Sequence, residues 1–291
     1  MQLTYKAPCC ELSKLEIIWL QLSNIACNLK CKHCFLNCYQ DFRKRNFLQV
    51  EKIFNELQEA ELKDLKKIIL TGGEPFIHKK INDIIKLCLN YAPVEIHSNG
   101  TLLNEKKIKV LKQIQNSYAN ELSFRLSLDH FTEGRNDEYR ARGVFKKVVN
   151  AIINLQKYNF KVQLACINIK HESEEVLLDG FSKLFEREGI HLPQDDIKIL
   201  PMLYLGDYAK YYNISKTKEV LTPQELADTG TSFLDCKNSR VLSIDGVFSC
   251  PALVNDPRGR LGDSIHDVSK KVYLETQTCV DCVKKREKLF G

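Results

Sequence analysis

The chain is expected to be an α/β protein: a parallel sheet curled with its helices outside, followed by a small cysteine-rich segment of hairpin and helix. Three observations lead there. Short apolar runs alternate with stretches of helical periodicity, the pattern of successive strand–helix units. Glycines and polar residues collect where the apolar runs end. The last sixty or so residues abandon that alternation for four cysteines and a hairpin signal.

Taken in order, Leu15 to Leu22 reads as a strand that runs into a cysteine-bearing loop. Leu48 to Leu62 repeats Leu, Ile, Phe and Leu at helical spacing. Ile68-Ile69-Leu70 has the unbroken apolar character of a strand covered on both faces. Ile81 to Leu89 is then a helix, Val94 to Ser98 a strand, Leu103 to Ile114 a helix and Leu122 to Asp129 a strand. Phe145 to Tyr158 is a helix, Phe160 to Ile169 a strand, Glu174 to Glu188 a helix and Ile197 to Leu200 a strand. That makes six strand–helix units or nearly so. Beyond them Ser239 to Ser249 reads as two short strands joined through Asp245-Gly246, a strong hairpin signal.

Composition limits the function classes. With 291 residues the chain is long for one domain and short for two, so a large domain over 13–232 with an appendage over 233–291 is expected. Hydrophobic content of 44% with 27% charged residues describes a globular protein. No apolar run is long enough to span a bilayer, and the N-terminus lacks a signal-peptide core. Twelve cysteines without a secretion signal indicate the reducing cytoplasm, where cysteines more often bind metal than pair. The formal charge of +6 comes from scattered groups such as Lys106-Lys107 and Lys284-Lys285-Arg286, read as solvated helix faces. A basic stripe with interleaved aromatics is missing, so no nucleic-acid partner is expected.

The chemistry centres on Cys27, Cys31 and Cys34, spaced C-x3-C-x2-C with Phe35 next. A cubane iron–sulfur cluster normally takes four thiolates, so three leave one iron open. A structural zinc loop is the alternative, with His33 or Cys38 as fourth ligand. The run resembles the cluster loop of the radical S-adenosylmethionine (SAM) enzymes. In that family the open iron chelates SAM, and reductive cleavage gives methionine and a 5′-deoxyadenosyl radical that takes a hydrogen atom from the substrate. Thr71-Gly72-Gly73-Glu74-Pro75, at the end of an apolar strand, resembles the family's GGEP segment. Paired glycines let the backbone approach a ligand closely, and the resemblance implies that Gly72, Gly73 and Glu74 hold the SAM ammonium. The strand into Ser98-Asn99-Gly100 resembles the third strand, facing the SAM ribose and carboxylate, and the strand carrying Ser127 resembles the fourth. Asn136 to Phe145 looks like the segment that supplies a SAM-contacting arginine, with Arg140 and Arg142 both in register. Asn136 stands where the family usually has His. The resemblance implies a partial (β/α)6 barrel with ligands at the C-terminal strand ends, where ligands sit in α/β barrels.

Cys236 and Cys250 flank the hairpin, and Cys279 and Cys282 form a C-x2-C pair near the chain end. The spacing alone permits a four-cysteine zinc knuckle. The segment resembles the twitch domain, a shortened relative of the SPASM domain, in which four cysteines ligate one auxiliary [4Fe-4S] cluster. It departs from the SPASM pattern in that Gly246 lies four residues before Cys250 rather than five, and no cysteines follow Cys282 for a third cluster. Cys88 reads as core. Cys166 is assigned either to core packing or to hydrogen-atom donation from the barrel interior, and Cys38 is a weaker candidate. Cys9-Cys10 is either disordered or closes over the cleft. The expected activity is hydrogen abstraction for an oxidative change, dehydrogenation or crosslink, in a peptide or protein substrate. Alternatives are redox-neutral epimerisation, with Cys166 returning a hydrogen, a small-metabolite substrate, and, from another class, a non-catalytic electron carrier. Expected partners are a flavodoxin- or ferredoxin-type electron donor and, since few residues precede the first strand, a separate leader-binding protein or none.

Overall fold

The computed structural model describes residues 7–36, 38, 46–206, 209, 219–266 and 271–285. Six parallel strands carry the core: β2 (Ile17–Gln21), β3 (Lys67–Thr71), β4 (Val94–Ser98), β5 (Leu122–Ser127), β6 (Lys161–Ile167) and β7 (Ile197–Leu200). Between them run α1 (Val50–Glu59), α2 (Ile81–Leu89), α3 (Glu105–Gln115), α4 (Glu133–Tyr139), α5 (Val144–Lys157) and α6 (Glu174–Glu188). Neighbouring strands follow chain order from β2 to β7, as crossover helices on one side dictate. Ser173 caps α6 and Gly189, at φ +66°, ends it. Boundaries agree with the periodicity to within a few residues, and α4 is an addition, too short and polar to show a helical stripe.

Alternation along the strands separates two environments. Ile18, Leu20, Ile68, Leu70, Ile96, Phe124, Leu126 and Cys166 point to the helix layer and are fully buried. Their neighbours Gln21, Thr71, His97, Arg125, Ser127, Ala165 and Ile167 line the barrel interior. This puts Cys166 in core packing, the first of its two expected roles. Its thiol meets the Asp129 carbonyl at 3.2 Å inside the outer core, so no hydrogen-donor role follows from its position.

The hairpin does not stand apart. β8 (Ser239–Ser243) pairs in parallel with β2, and β9 (Gly246–Phe248) and β10 (Arg260–Gly262) continue the sheet to nine strands among the described residues. The connecting turn is Ile244-Asp245, with Gly246, at φ +114°, already paired to Ser243. A second apolar core does form, but not within 233–291 alone. Leu221 and Leu226, the latter on α7 (Pro223–Thr229), belong to it, as does Cys10. Cys10 lies on β1 (Cys9–Glu11), which pairs with β11 (Lys271–Tyr273) in a separate two-stranded sheet. α8 (Gln277–Lys285) completes the unit. No described helix is long and apolar enough to cross a membrane.

Candidate active site

Cys27, Cys31 and Cys34 open onto one cavity at the C-terminal strand ends. Backbone packing places their loop. Leu22 N–H donates to the Thr71 carbonyl at 2.8 Å, and Glu74 N–H donates to the Ala26 carbonyl at 3.0 Å. A Cβ at Gly73 would stand 2.0 Å from that Ala26 oxygen, and one at Gly72, whose φ is +141°, 2.8 Å from the Ser23 oxygen. The paired glycines therefore serve the approach of the cysteine loop itself, besides facing the cavity.

Glu74 departs most from expectation. Its carboxylate is buried, accepts from Phe76 N–H at 3.1 Å, from Ser98 Oγ at 2.9 Å and from Asn99 N–H at 2.9 Å, and does not line the cavity. Burial pushes its pKa up while the three donors oppose that. Glu74 thus shapes the turn that presents Ser98 and Asn99, which do line the cavity. Asn99 in turn donates to Asn28 Oδ1 at 2.9 Å and to Cys27 Sγ at 3.7 Å.

The far side of the loop is held by a buried charge network. Arg140 engages Asp129 through Nε at 2.6 Å and a terminal nitrogen at 2.8 Å, and His33 Nε2 lies 3.2 Å from the same carboxylate. Lys32 N–H donates to the Tyr139 carbonyl at 2.9 Å. Burial lowers His33 to about 4, so a neutral ring stands beside Asp129. Asn136, in the place usually held by His, accepts from Asp129 N–H at 3.0 Å. Arg140 and His33 line the cavity; Arg142 is exposed outside it. Arg140→Ala is expected to cost about 3–5 kcal/mol, since it strands the buried Asp129 charge, and to abolish SAM binding. Arg142→Ala should stay within about 0.5 kcal/mol. Thermal melts and equilibrium dialysis with SAM read both.

Burial raises Cys27 and Cys31 to about 12, so both are thiols until a cation displaces their protons. His33 Nδ1 is buried without a partner among the described residues at the same cavity. Three thiols lining one cavity, with polar groups opposite, are the donor set that would hold a three-cysteine [4Fe-4S] cluster. The profile described as the Radical SAM superfamily matches residues 24–179, just over half of the chain. The chain belongs to the radical SAM superfamily. Membership implies SAM and a [4Fe-4S] cluster, and the family's members are enzymes.

Radical SAM relatives differ in reaction. GTP 3′,8-cyclase of Clostridium perfringens (strain SM101 / Type A) is 24% identical over 240 residues, 79% of this chain and 70% of that protein. The antilisterial bacteriocin subtilosin biosynthesis protein AlbA of Bacillus subtilis is 27% identical over 141 residues, 48% of this chain and 30% of AlbA. Among solved structures, native anSMEcpe with bound AdoMet superposes with a TM-score of 0.59 at 18% identity, over 94% of this chain and 84% of that one. Streptococcus suis SuiB bound to S-adenosylmethionine gives 0.62 at 13% identity, over 96% and 67%. These likenesses support the fold.

Two further features of this radical SAM chain escaped sequence reading. The barrel floor holds Glu95 between His97 Nε2 at 2.6 Å, Lys67 Nζ at 3.0 Å and Arg125 at 3.4 Å. Burial would raise the Glu95 carboxyl, but the three partners win and hold it well below the usual range. Alternation alone cannot reveal such a set, because the residues come from three strands. The second feature is a smaller cavity lined by Cys236, Cys250, Cys279 and Cys282 together with Asp235, Ser249, Thr278 and apolar residues. Burial raises the thiols of Cys250 and Cys279, and Thr276 Oγ1 donates to Cys279 Sγ at 3.1 Å. Ser249 Oγ is buried with no partner among the described residues.

Proposed function

We propose that this radical SAM enzyme carries a second, fully ligated [4Fe-4S] cluster on Cys236, Cys250, Cys279 and Cys282 and completes a net oxidation of a peptide or protein. The observation that carries the reading is the convergence of those four thiols on one cavity beside the barrel sheet. When bound at Cys27, Cys31 and Cys34, the first cluster and SAM supply a 5′-deoxyadenosyl radical. The chain's own residues bind and shield it. Gly72, Gly73, Ser98, Asn99, Ser127 and Arg140 form the polar wall for SAM, while Leu29, Phe35, Leu36 and Leu200 keep water from the reacting centre. The second cluster would supply an electron acceptor there, so that in the overall balance the substrate would lose two hydrogens, one as an atom and the other as a proton to solvent plus an electron. A flavodoxin- or ferredoxin-type donor delivers the initiating electron, and the enzyme works in the cytoplasm.

A peptide is favoured over a nucleotide triphosphate by the cavity's charge. Among the described residues the two arginines lining it, Arg125 and Arg140, already face carboxylates, Glu95 and Asp129. A polyphosphate site instead needs cations set aside for it. The similarity to AlbA supports the same reading. The second reading, a small nucleotide substrate, rests on the longer match to GTP 3′,8-cyclase. Anaerobically reconstituted protein should hold about eight irons, one cubane per cysteine set. Incubated with substrate in deuterated water, it should yield a product lighter by two hydrogens. Stoichiometric zinc in the second site, or a product of unchanged formula carrying one deuterium, overturns the reading.

A further inference from the structure

The second cysteine site holds donors that its four ligands do not account for. Cys10 arrives from β1, more than two hundred residues away in sequence, because β1 pairs with β11 and packs on the turn that carries Cys236. Its thiol is buried, donates to the Glu11 carbonyl at 3.9 Å and abuts the Cys236 thiol. Ser249 Oγ is also buried, has no partner among the described residues, and lines the cavity beside Cys250. A buried hydroxyl left unpaired costs roughly 1–3 kcal/mol, so its presence there calls for an acceptor inside the cavity. Thr276 already donates to Cys279 Sγ. Three of the four ligand positions thus have a donor on or next to them, each from a different segment.

Resting on the second cluster proposed above, we infer that Cys10, Ser249 and Thr276 form a hydrogen-bonding collar on its sulfurs, and that the collar raises its reduction potential so that it accepts the substrate's electron. The physical basis is charge. A cubane with four thiolates is anionic and becomes more so on reduction, and donors aimed at its sulfurs stabilise the reduced form more than the oxidised one. Hydrogen bonds to the sulfurs are among the factors that set such potentials. Cys10 and Ser249 are positioning residues here, acting through sulfur rather than on substrate.

The test is an anaerobic redox titration of the full chain, reconstituted with iron and sulfide and followed by electron paramagnetic resonance. Ser249→Ala and Cys10→Ala should keep the wild-type iron content, and each should shift the second cluster's midpoint to lower potential while leaving the first cluster's unchanged. Cys10→Ser, which keeps a donor, should recover much of the shift. Wild-type iron with an unmoved second midpoint in both alanine variants overturns the collar. Loss of the second cluster's iron in Cys10→Ala also overturns it, by making Cys10 a ligand. A wild-type protein holding zinc, or only the first cluster's iron, refutes the second cluster itself and so separates the two failures.

Discussion

Replacing Cys27, Cys31 and Cys34 together with alanine should remove all SAM cleavage and leave about four of about eight irons. The three thiols share one cavity with the SAM-facing wall, where Cys38 is the one further thiol among the described residues. Cys38 lines the cavity too, with its N–H 3.5 Å from Cys34 Sγ, so it remains as one thiol in the triple variant and cannot hold a cubane alone. The fold should survive. The cysteine loop is stitched to Thr71, Tyr139 and Asp129 through the backbone and His33 rather than through the thiols. Circular dichroism, iron analysis and 5′-deoxyadenosine formation check the three parts. Cleavage by the triple variant at a wild-type rate would show that the radical arises elsewhere.

Gly73→Ala is expected to be nearly as damaging, with every cysteine intact. The added methyl would sit 2.0 Å from the Ala26 oxygen and 2.5 Å from its carbonyl carbon, both backbone atoms. Relief requires separating the GGEP segment from the cysteine loop, which breaks the bond from Glu74 N–H to Ala26. Overpacking of this kind typically costs about 1–3 kcal/mol, and the movement falls on Cys27, the next residue along. The expected protein is folded, with a lowered melting temperature and iron reduced to about four per chain. Gly134→Ala is the control. Nothing lies within 4 Å of its Cβ, and in α4 the change should stabilise by up to about 1 kcal/mol. Equal iron content in the two variants would separate the glycine pair from cluster placement.

Arg140 and Arg142 illustrate what a sequence can and cannot settle. Two residues apart, both carry the same charge in the same short segment, and nothing local ranks them. The α4 turn buries one against Asp129 and leaves the other in water. Glu74 is a similar case. A carboxylate after two glycines at a strand end reads as a ligand for an ammonium, whereas its partners, Ser98 and Asn99, lie on the adjacent strand and are set by sheet register. Cys166 turned on the same point, since period-2 alternation says which residues share a face but not which face is the interior.

By itself the sequence determined the order of strands and helices, the two cysteine sets and the family. These depend on local periodicity, turn chemistry and ligand spacing, all written in contiguous residues. Tertiary structure decided which groups meet: Cys10 with Cys236, Ser249 with the second cavity, Glu95 with Arg125, and the hairpin with the edge of the barrel at β2. Each of those contacts joins residues separated by tens to hundreds of positions. The parallel sheet with its crossover connections brings Glu95 to Arg125 and the hairpin to β2, and the antiparallel pairing of β1 with β11 brings Cys10 to Cys236, so no local pattern encodes them.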